Sequence, residues 1–348
     1  MSPINTALCS FGMSGWVFHA PFIVANPGFK LSAVWERSKN LAKEKHPWIN
    51  TYRTLEELLA DTAIELVVVN TPNFTHYEYA KKALMAGKHV VVEKPFTATV
   101  SEAEELISLA KEKKVLLSVF QNRRYDSDFK TIRKILDRKV LGDLVDVEMH
   151  FDRYKDEPGP KAHKETPGPA TGSVYDLGAH LIDQALLLFG MPEKLSGDIQ
   201  VMRPNLSKVD DYFDIKLYYP SFRVHLRSSY AVREPLPGYI FHGTKGSFIK
   251  PKTDVQEDTL KTGKTPGDKD WGKEPDSEKG LLHTEVDGNV IREYIKSEQG
   301  NYGEYYQGMY DAIRNGKPLP VTARDGLNVI KVIEAAYESN KSQQVVKL

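Results

Sequence analysis

The stretch KHVVVEKPF, residues 88–96, predicts a strand that is buried on both faces and ends at a functional edge. Three consecutive valines, which are β-branched, are followed without a spacer by Glu93 and Lys94 and then by Pro95. Proline has no N–H group to donate to a neighbouring strand, so strand pairing stops there. In an open parallel sheet, ligands bind at the carboxyl ends of the strands. The two charged residues are therefore expected at a ligand site.

Similar apolar runs flank this strand along the first third of the chain: TALCSF, FKLSAVW, IELVVVN and VLLSVFQ. Amphipathic segments separate them, and the spacing of Ser/Thr and Glu predicts capping boxes that begin at Thr54 and Ser101. A repeated strand–helix–strand order is typical of a doubly wound parallel sheet. Residues 1–121 are therefore predicted to form an N-terminal Rossmann domain.

A different pattern begins near residue 122. The segments YFDIKLYYP, FRVHLRSSYAV and GYIFHGTKGSFIK alternate apolar and polar residues, as in an antiparallel sheet with one packed face. We predict a C-terminal α/β domain over residues 122–348 with an open, mostly antiparallel sheet and final helices near 303–315 and 324–340. Residues 251–280, which include Trp271, are polar and turn-rich and predict a long loop over this domain.

The composition excludes several classes of protein. The 348 residues include 47 Lys and Arg against 47 Asp and Glu, so the chain lacks the basic excess that nucleic-acid binding requires. No apolar stretch approaches the roughly 20 residues that cross a bilayer, and a cleavable signal is not expected. The single cysteine, Cys9, lies in an apolar run, which favours a buried thiol and a cytoplasmic location.

Residues 10–15, SFGMSG, have the spacing of a dinucleotide-binding turn. Gly12 and Gly15 occupy two of its glycine positions, and Ser10 replaces the first glycine. The second strand ends in Glu36 and Arg37. An acid there accepts hydrogen bonds from a ribose, whereas an arginine accommodates a 2′-phosphate, so NAD and NADP both remain open. The alternative is a pair of solvated charges at the end of a strand.

Two further clusters supply acid–base chemistry. A lysine that leaves an apolar strand near a cationic nicotinamide is expected to have a lowered pKa, and Lys94 occupies such a position. Asp176 and His180 are four residues apart and share one face of a helix, where they could pass a proton. The alternative for this pair is a helix N-terminal acid followed by a core histidine. The sequence contains no H-E-x-x-H or cysteine pair for zinc and no G-x-S-x-G elbow, so no metal site is predicted.

Together these motifs resemble the glucose-fructose oxidoreductase and inositol dehydrogenase (Gfo/Idh/MocA) family over essentially the whole chain. The resemblance rests on FHAP after the glycine turn, VVVNTPNFTH, GKHVVVEKPF, QNRR at residues 121–124, YDLGAHLIDQ and PLPVTARDGLNVIKVIEAA. The stretches LLSVFQNRRYDSDF and YDLGAHLIDQALLLFGMP are most similar to the branch of NADP-dependent scyllo-inositol dehydrogenases. Trp16 stands where that branch usually has an arginine after the glycine turn.

The resemblance implies a role for each matching residue. The catalytic residues would be Lys94, Asp176 and His180, which are expected to converge on the nicotinamide. The dinucleotide would contact Gly12, Met13, Ser14, Gly15, Glu36, Arg37, Thr71, Pro72, Asn73, His76, Glu93, Lys94 and Asn122. The substrate would contact Lys94, Asn122, Asp176 and His180. Apart from the resemblance, Tyr154 and Tyr175 are expected among the side chains around the cleft that contact the substrate and set specificity. The family also implies a homodimer or homotetramer formed through the C-terminal sheet.

The predicted function is an NAD(P)-dependent dehydrogenase. It would transfer a hydride between nicotinamide and a secondary alcohol of a cyclitol, polyol or sugar, with a scyllo-inositol-like substrate favoured. One alternative is an enzyme that retains its cofactor and uses transient oxidation to assist glycoside hydrolysis or elimination. Another is a non-catalytic regulator that binds the dinucleotide. Neither nucleic acid nor membrane is expected as a partner.

Overall fold

The computed structural model describes residues 2–157 and 165–348, which form two compact units. The first unit comprises the chain up to Tyr125 together with Gln256–Trp271 and Asn301–Leu327. The second comprises Asp126–Val255, apart from residues 158–164, together with Gly272–Gly300 and Asn328–Leu348. The predicted domain boundary between residues 121 and 122 stays a prediction.

The first unit contains a six-stranded parallel sheet in the order β3-β2-β1-β4-β5-β6. Its strands are β1 (Ile4–Leu8), β2 (Phe29–Trp35), β3 (Asn50–Tyr52), β4 (Leu66–Val69), β5 (His89–Glu93) and β6 (Leu117–Phe120). Strand β5 pairs with β4 and β6, and the three valines Val90–Val92 are fully buried. The predicted doubly wound sheet is therefore confirmed, and Glu93 is the last residue of its strand.

The second unit contains a nine-stranded sheet in the order β14-β13-β12-β11-β7-β10-β9-β8-β15. Its strands are β7 (Leu144–His150), β8 (Lys194–Gln200), β9 (Tyr212–Tyr218), β10 (Arg223–Ser229), β11 (Tyr239–Gly243), β12 (Gly246–Lys250), β13 (Gly280–Val286), β14 (Asn289–Ile295) and β15 (Val346–Lys347). All neighbouring strands are antiparallel except β7 and β10. The open, mostly antiparallel sheet is confirmed.

Ten α-helices connect these strands in the part of the chain that the structure describes. They are α1 (Ala20–Ala25), α2 (Leu41–Lys45), α3 (Leu55–Ala60), α4 (His76–Met85), α5 (Val100–Lys113), α6 (Ser127–Asp137), α7 (Ala179–Phe189), α8 (Gln256–Lys261), α9 (Gly303–Asn315) and α10 (Ala323–Ser342). Two of them, α1 and α7, continue directly from π-helical turns, Ser14–His19 and Val174–Gly178 respectively. The two predicted C-terminal helices correspond to α9 and α10.

One of the two predicted capping boxes is wrong. Thr54 caps α3 as expected, with Glu57 as its reciprocal partner. Helix α5, however, is capped by Thr99 and Glu102, two residues before the predicted start at Ser101. Both spacings satisfy the S/T-x-x-E pattern. The pattern alone therefore did not identify the helix start.

The prediction of a long loop over residues 251–280 is correct only in part. The segment contains α8 and a 3₁₀ turn at Asp276–Glu278, and its part Gln256–Trp271 belongs to the first unit. Gln256 is buried and bonds to the backbone of Tyr125 and Tyr302. Trp271 is only 4% exposed and packs edge-on against the Phe22 ring. The polar composition of the segment gave no indication that Gln256 and Trp271 would be buried.

Candidate functional site

The glycine turn lies at the carboxyl end of β1 and leads into the first π-helical turn. A Cβ atom on Gly15 would lie 2.4 Å from the carbonyl oxygen of Ser10, so only glycine allows this close packing. Asn70 donates to the same carbonyl at 2.9 Å. The Ser10 hydroxyl accepts the N–H of Gly12 at 3.1 Å, and Gly12 itself is exposed. One side of the turn is thus packed and the other is open, which fits a dinucleotide pyrophosphate.

The π-helical turn after the glycines directs two side chains onto the end of β5. Ser14 and His19 are five residues apart, which places them on one side of a π turn but not of an α turn. Ser14 Oγ donates to Glu93 Oε1 at 2.5 Å, and His19 Nε2 lies 2.9 Å from the same oxygen. The other ring nitrogen, His19 Nδ1, is 2.7 Å from the Tyr306 hydroxyl on α9. The sequence predicted only an ordinary helix here and assigned no role to His19 or Tyr306.

Glu93 is an ionised carboxylate inside this network. Burial opposes its ionisation, but hydrogen bonds from His19 and Ser14 and the charge of Lys94 outweigh burial and lower the pKa of Glu93 to about 2. Its second oxygen, Oε2, accepts the backbone N–H of Lys94 at 3.1 Å. The sequence-based role for Glu93 was contact with nicotinamide, whereas the structure shows a carboxylate that binds the protein's own groups.

A second buried histidine holds the backbone on the other side of Lys94. His76 is fully buried, with Nδ1 2.8 Å from the carbonyl oxygen of Pro95 and Nε2 3.0 Å from that of Thr71. Burial lowers the pKa of His76. The Lys94–Pro95 peptide is cis. His76, which was predicted near the path to nicotinamide, therefore contacts the backbone that carries Lys94.

The remaining predicted cofactor residues of this edge follow neighbouring strands. Thr71, Pro72 and Asn73 come after β4, and the Thr71 hydroxyl lies 2.6 Å from that of Thr75. Asn122 is 6% exposed and opens a 3₁₀ turn after β6. Since β4 and β6 are the neighbours of β5, the structure brings these residues to the same edge as Lys94.

Glu36 and Arg37 have different environments at the end of β2. The Glu36 carboxylate is buried and accepts the N–H groups of Leu41 at 3.2 Å and Ala42 at 3.1 Å, so it caps α2. Arg53 donates to the Glu36 carbonyl at 2.9 Å and thereby braces the same loop. Arg37 is exposed. The Glu36 carboxylate is therefore already bonded to backbone N–H groups, and the exposed charge at the end of β2 is the positive charge of Arg37.

A further cation lies beside the glycine turn. Lys45 Nζ, at the end of α2, is 4.4 Å from the ring centroid of Trp16. Trp16 belongs to the first π-helical turn. An ammonium group over an indole face is held by a cation–π interaction. Lys45 therefore supplies a positive charge next to the turn, which the sequence analysis had not identified.

In the second unit, Asp176 lies in the second π-helical turn and His180 in the first turn of α7. The predicted helix is present, although its first turn is π-helical. Asp176 Oδ2 accepts the Tyr230 hydroxyl at 3.4 Å. Burial raises the pKa of Tyr230, so this hydroxyl stays protonated. His180 is 5% exposed, and its ring centroid lies 6.2 Å from that of Phe151.

The two predicted substrate tyrosines differ in exposure. Tyr154 is 43% exposed, and the Arg233 guanidinium lies 3.9 Å from its ring centroid. Tyr175 is half-buried and stacks on Tyr337 of α10 at 6.0 Å between ring centroids. Tyr154 therefore has more surface free for a ligand.

The sequence did not indicate two lysines, Lys252 and Lys155, that lie beside aromatic neighbours of His180 and Asp176. Lys252 Nζ lies 4.6 Å from the ring centroid of Phe151, the neighbour of His180, and donates to the Tyr239 hydroxyl at 3.2 Å. Lys155 Nζ lies 4.0 Å from the ring centroid of Tyr230, and burial lowers the pKa of Lys155. No local motif marks either lysine, because both reach these aromatic rings through the folding of the second unit.

Within residues 2–157 and 165–348, no group of three or more His, Cys, Asp or Glu side chains could hold a metal ion. No helix in the same residues combines the length and apolar character needed to span a membrane.

Comparison with known proteins identifies the family. A family model described as "Oxidoreductase family, NAD-binding Rossmann fold" matches residues 4–121, and one described as "Oxidoreductase family, C-terminal alpha/beta domain" matches residues 133–348. The chain belongs to the Gfo/Idh/MocA oxidoreductase family. This confirms the predicted family, the NAD(P)-binding Rossmann fold and the predicted enzyme class, a dehydrogenase acting on CH–OH groups.

Relatives within the Gfo/Idh/MocA family match over nearly the full chain. The scyllo-inositol 2-dehydrogenase (NADP(+)) IolW of Bacillus subtilis is 41% identical over 99% of this chain and 96% of its own length. The uncharacterized oxidoreductase YdgJ of Escherichia coli is 39% identical over 99% of each chain. A crystal structure of a Bacteroides fragilis protein is 48% identical, covers 99% of this chain and 100% of its own, and superposes with a TM-score of 0.91.

Proposed function

We propose that this protein is an NADP-preferring dehydrogenase that acts on a secondary alcohol of a cyclitol, with polyols and sugars as the broader substrate class. The observation that supports this most strongly is Lys94 at the carboxyl end of β5, where half-buried Glu93 accepts its backbone N–H and buried His76 contacts the carbonyl of the next residue, Pro95. A lysine held in this way is suited to orient a substrate hydroxyl. The relative named as an NADP-dependent scyllo-inositol dehydrogenase supports the cyclitol.

Each residue of the proposed site has one role. The open side of the glycine turn binds the pyrophosphate, and the nicotinamide supplies the hydride chemistry when bound. His180 accepts the proton of the substrate hydroxyl, while Asp176 and Lys94 orient His180 and tune its affinity for the proton. Tyr154, Tyr175 and Asn122 are assigned to the substrate in the same proposal.

The proposed preference for NADP follows from the end of β2. The Glu36 carboxylate already accepts two backbone N–H groups, so it is poorly placed to accept from a ribose 2′-hydroxyl. Exposed Arg37 and the ammonium of Lys45 over Trp16 offer positive charge to a 2′-phosphate. The name of the Bacillus subtilis relative, which includes NADP(+), supports the same preference.

The proposal extends to assembly and location. The nine-stranded sheet ends in β14, whose Val290 and Tyr294 are 71% and 64% exposed, and this supports a homodimer or homotetramer formed through the sheet. A cytoplasmic location is supported by buried Cys9, whose thiol pKa is raised to about 12 by burial and which is therefore unreactive.

A substrate screen tests the function. Purified protein is mixed with cyclitols and aldoses and with NAD or NADP, and reduced nicotinamide is followed by absorbance. We expect turnover of a cyclitol, faster with NADP, and release of one reduced nicotinamide for each substrate oxidised. Substrate conversion without release of reduced cofactor would instead indicate a redox-assisted hydrolase or lyase. Tight dinucleotide binding without any turnover would indicate a regulator.

A further inference from the structure

We propose that His19 is a positioning residue for Lys94, and that Tyr306 holds His19 in the form that this role requires. The link runs from the Tyr306 hydroxyl through the imidazole of His19 to the carboxylate of Glu93, and from there to the backbone N–H of Lys94. Its kinetic consequence rests on the proposed function, but its geometry and its effect on dinucleotide binding do not.

The contacts in this link are short and shielded from water. The two contacts of the His19 ring are 2.7 Å and 2.9 Å, and both His19 and Tyr306 are fully buried. The elements involved, the first π-helical turn, β5 and α9, all belong to the first unit. Three groups, the Ser14 hydroxyl, the His19 ring and the backbone N–H of Lys94, are therefore fixed to one carboxylate, and Tyr306 is linked to it through His19.

The hydrogen-bond directions define the tautomer of His19. Ionised Glu93 can only accept, so the proton of a neutral imidazole lies on Nε2. Nδ1 then presents a lone pair, and the Tyr306 hydroxyl donates to it. Burial raises the pKa of Tyr306, so the hydroxyl keeps the proton that it donates. The alternative tautomer, with the proton on Nδ1, would face the Glu93 carboxylate with a lone pair.

The same carboxylate also binds the dinucleotide turn. Glu93 Oε1 accepts from Ser14, which lies in the segment after Gly12, as well as from His19. A change in His19 therefore shifts the carboxylate that positions both Lys94 and the turn. We infer that loss of His19 weakens dinucleotide binding as well as turnover.

A purely structural role would not require a buried charge. An apolar cluster of the same volume stabilises a fold as well as a buried ionic network, whereas removal of one partner leaves an uncompensated charge. Tyr305 is a neighbouring example of simple packing. It is also fully buried on α9, but its hydroxyl bonds to that of Ser118, at 2.7 Å, rather than to the His19 ring or the Glu93 carboxylate.

The test compares Tyr306→Phe and His19→Gln with the matched control Tyr305→Phe, which removes a buried hydroxyl from the next residue of the same helix. We expect Tyr306→Phe to lower kcat about 10-fold and His19→Gln about 100-fold, with little change in the KM of the alcohol. Dissociation constants of NADP, measured by titration calorimetry without substrate, should rise several-fold in both variants. Tyr305→Phe should match the wild type in every readout.

A spectroscopic measurement on the unmodified protein tests the same inference without any variant. Nitrogen-15 NMR of histidine-labelled protein should show a proton on Nε2 of His19, the ring nitrogen that contacts Glu93. A proton on Nδ1 with Nε2 bare would overturn the proposal, even if the protein proves to have no dehydrogenase activity. Wild-type kcat and NADP affinity in folded Tyr306→Phe and His19→Gln would overturn it too, as would an equal loss in Tyr305→Phe.

Discussion

The two π-helical turns of this protein hold their polar side chains in different ways. Each comes immediately before an α-helix, and each contains or adjoins predicted site residues. In the first turn, Ser14 and His19 contact a fully engaged carboxylate, Glu93, at 2.5 Å and 2.9 Å. In the second turn, the Asp176 carboxylate accepts a longer bond of 3.4 Å from Tyr230.

This difference favours separate roles for the two turns, positioning for the first and proton transfer for the second. A carboxylate whose pKa is lowered to about 2 does not exchange protons near neutral pH, so Glu93 can only position other groups. Asp176 and His180 are an acid and a base on one helical segment, which suits proton transfer. π-helical turns often occur at functional sites because the inserted residue redirects side chains. In our proposal, the first turn redirects side chains that position other groups, and the second redirects side chains that transfer a proton.

The largest expected effect comes from the second turn. Asp176→Asn keeps the shape of the side chain but removes its charge, so kcat should fall about 1000-fold, within the range of general acid–base catalysis. The dissociation constant for NADP should change less than about 2-fold, because the first unit binds the dinucleotide in our proposal. Steady-state kinetics and calorimetry measure the two effects. An equal loss of affinity and turnover would contradict the division of roles.

A pH titration of stability tests the charge of Glu93 in the first turn. The pKa of Glu93 is about 2 in the folded protein against a model value of 4.5, because His19, Ser14 and Lys94 outweigh the effect of burial. A lowered pKa stabilises the fold above the unfolded value, and this contribution is lost as the pH falls from 4.5 towards about 2. The contribution is about 3 kcal/mol at neutral pH.

The measurement is the free energy of unfolding by urea as a function of pH, for the wild type and for Glu93→Gln. The difference between the two proteins should fall below pH 4.5. Glu257, whose pKa is also lowered to about 2 despite burial, by Arg123 and Lys261, titrates in the same window in both proteins and cancels. A difference that does not depend on pH would mean that Glu93 is not held as a carboxylate.

The backbone of the first turn provides a third test. In Gly15→Ala, the new Cβ would lie 2.4 Å from the Ser10 carbonyl oxygen, and relief of this clash should cost about 2 kcal/mol of stability. The matched control is Gly12→Ala, whose Cβ would meet only the Ser10 hydroxyl at 3.4 Å. Thermal unfolding should show a lower Tm for Gly15→Ala than for Gly12→Ala. Equal Tm values would show that the turn has room to relax.

Strand patterns predicted both sheets because they depend on local sequence. Three buried valines before Glu93 indicated a central parallel strand, and alternation in residues 212–232 indicated a sheet with one packed face. The position of Lys94 at the end of β5 follows directly from these patterns. The end of a strand is marked by local sequence. The prediction that Glu93 and Lys94 lie at the carboxyl end of β5 was therefore correct.

Residues that function through distant contacts were not predictable in this way. His19 meets Tyr306, 287 residues further along the chain, and no short motif connects them. The π-helical turns were predicted as ordinary helices because their hydrogen-bond pattern depends on tertiary contacts. Glu36 has the sequence position of a ribose ligand, yet the nearby start of α2 engages its carboxylate. Motif position therefore placed several predicted residues at one edge of the first sheet but did not establish the role of each residue.

The smallest expected effect comes from removing the tyrosine hydroxyl that contacts the second turn. It is compared with removal of the tyrosine hydroxyl that contacts the first turn. Tyr230→Phe removes a donor that lies 3.4 Å from Asp176 Oδ2, and a bond of this length contributes little. We expect kcat to fall only about 2-fold, against about 10-fold for Tyr306→Phe, which removes a buried 2.7 Å contact to His19. Steady-state kinetics at saturating NADP measures both variants. If Tyr230→Phe proved the more damaging of the two, Asp176 would depend on its neighbours as strongly as Glu93 does, and the second turn would also be a positioning element.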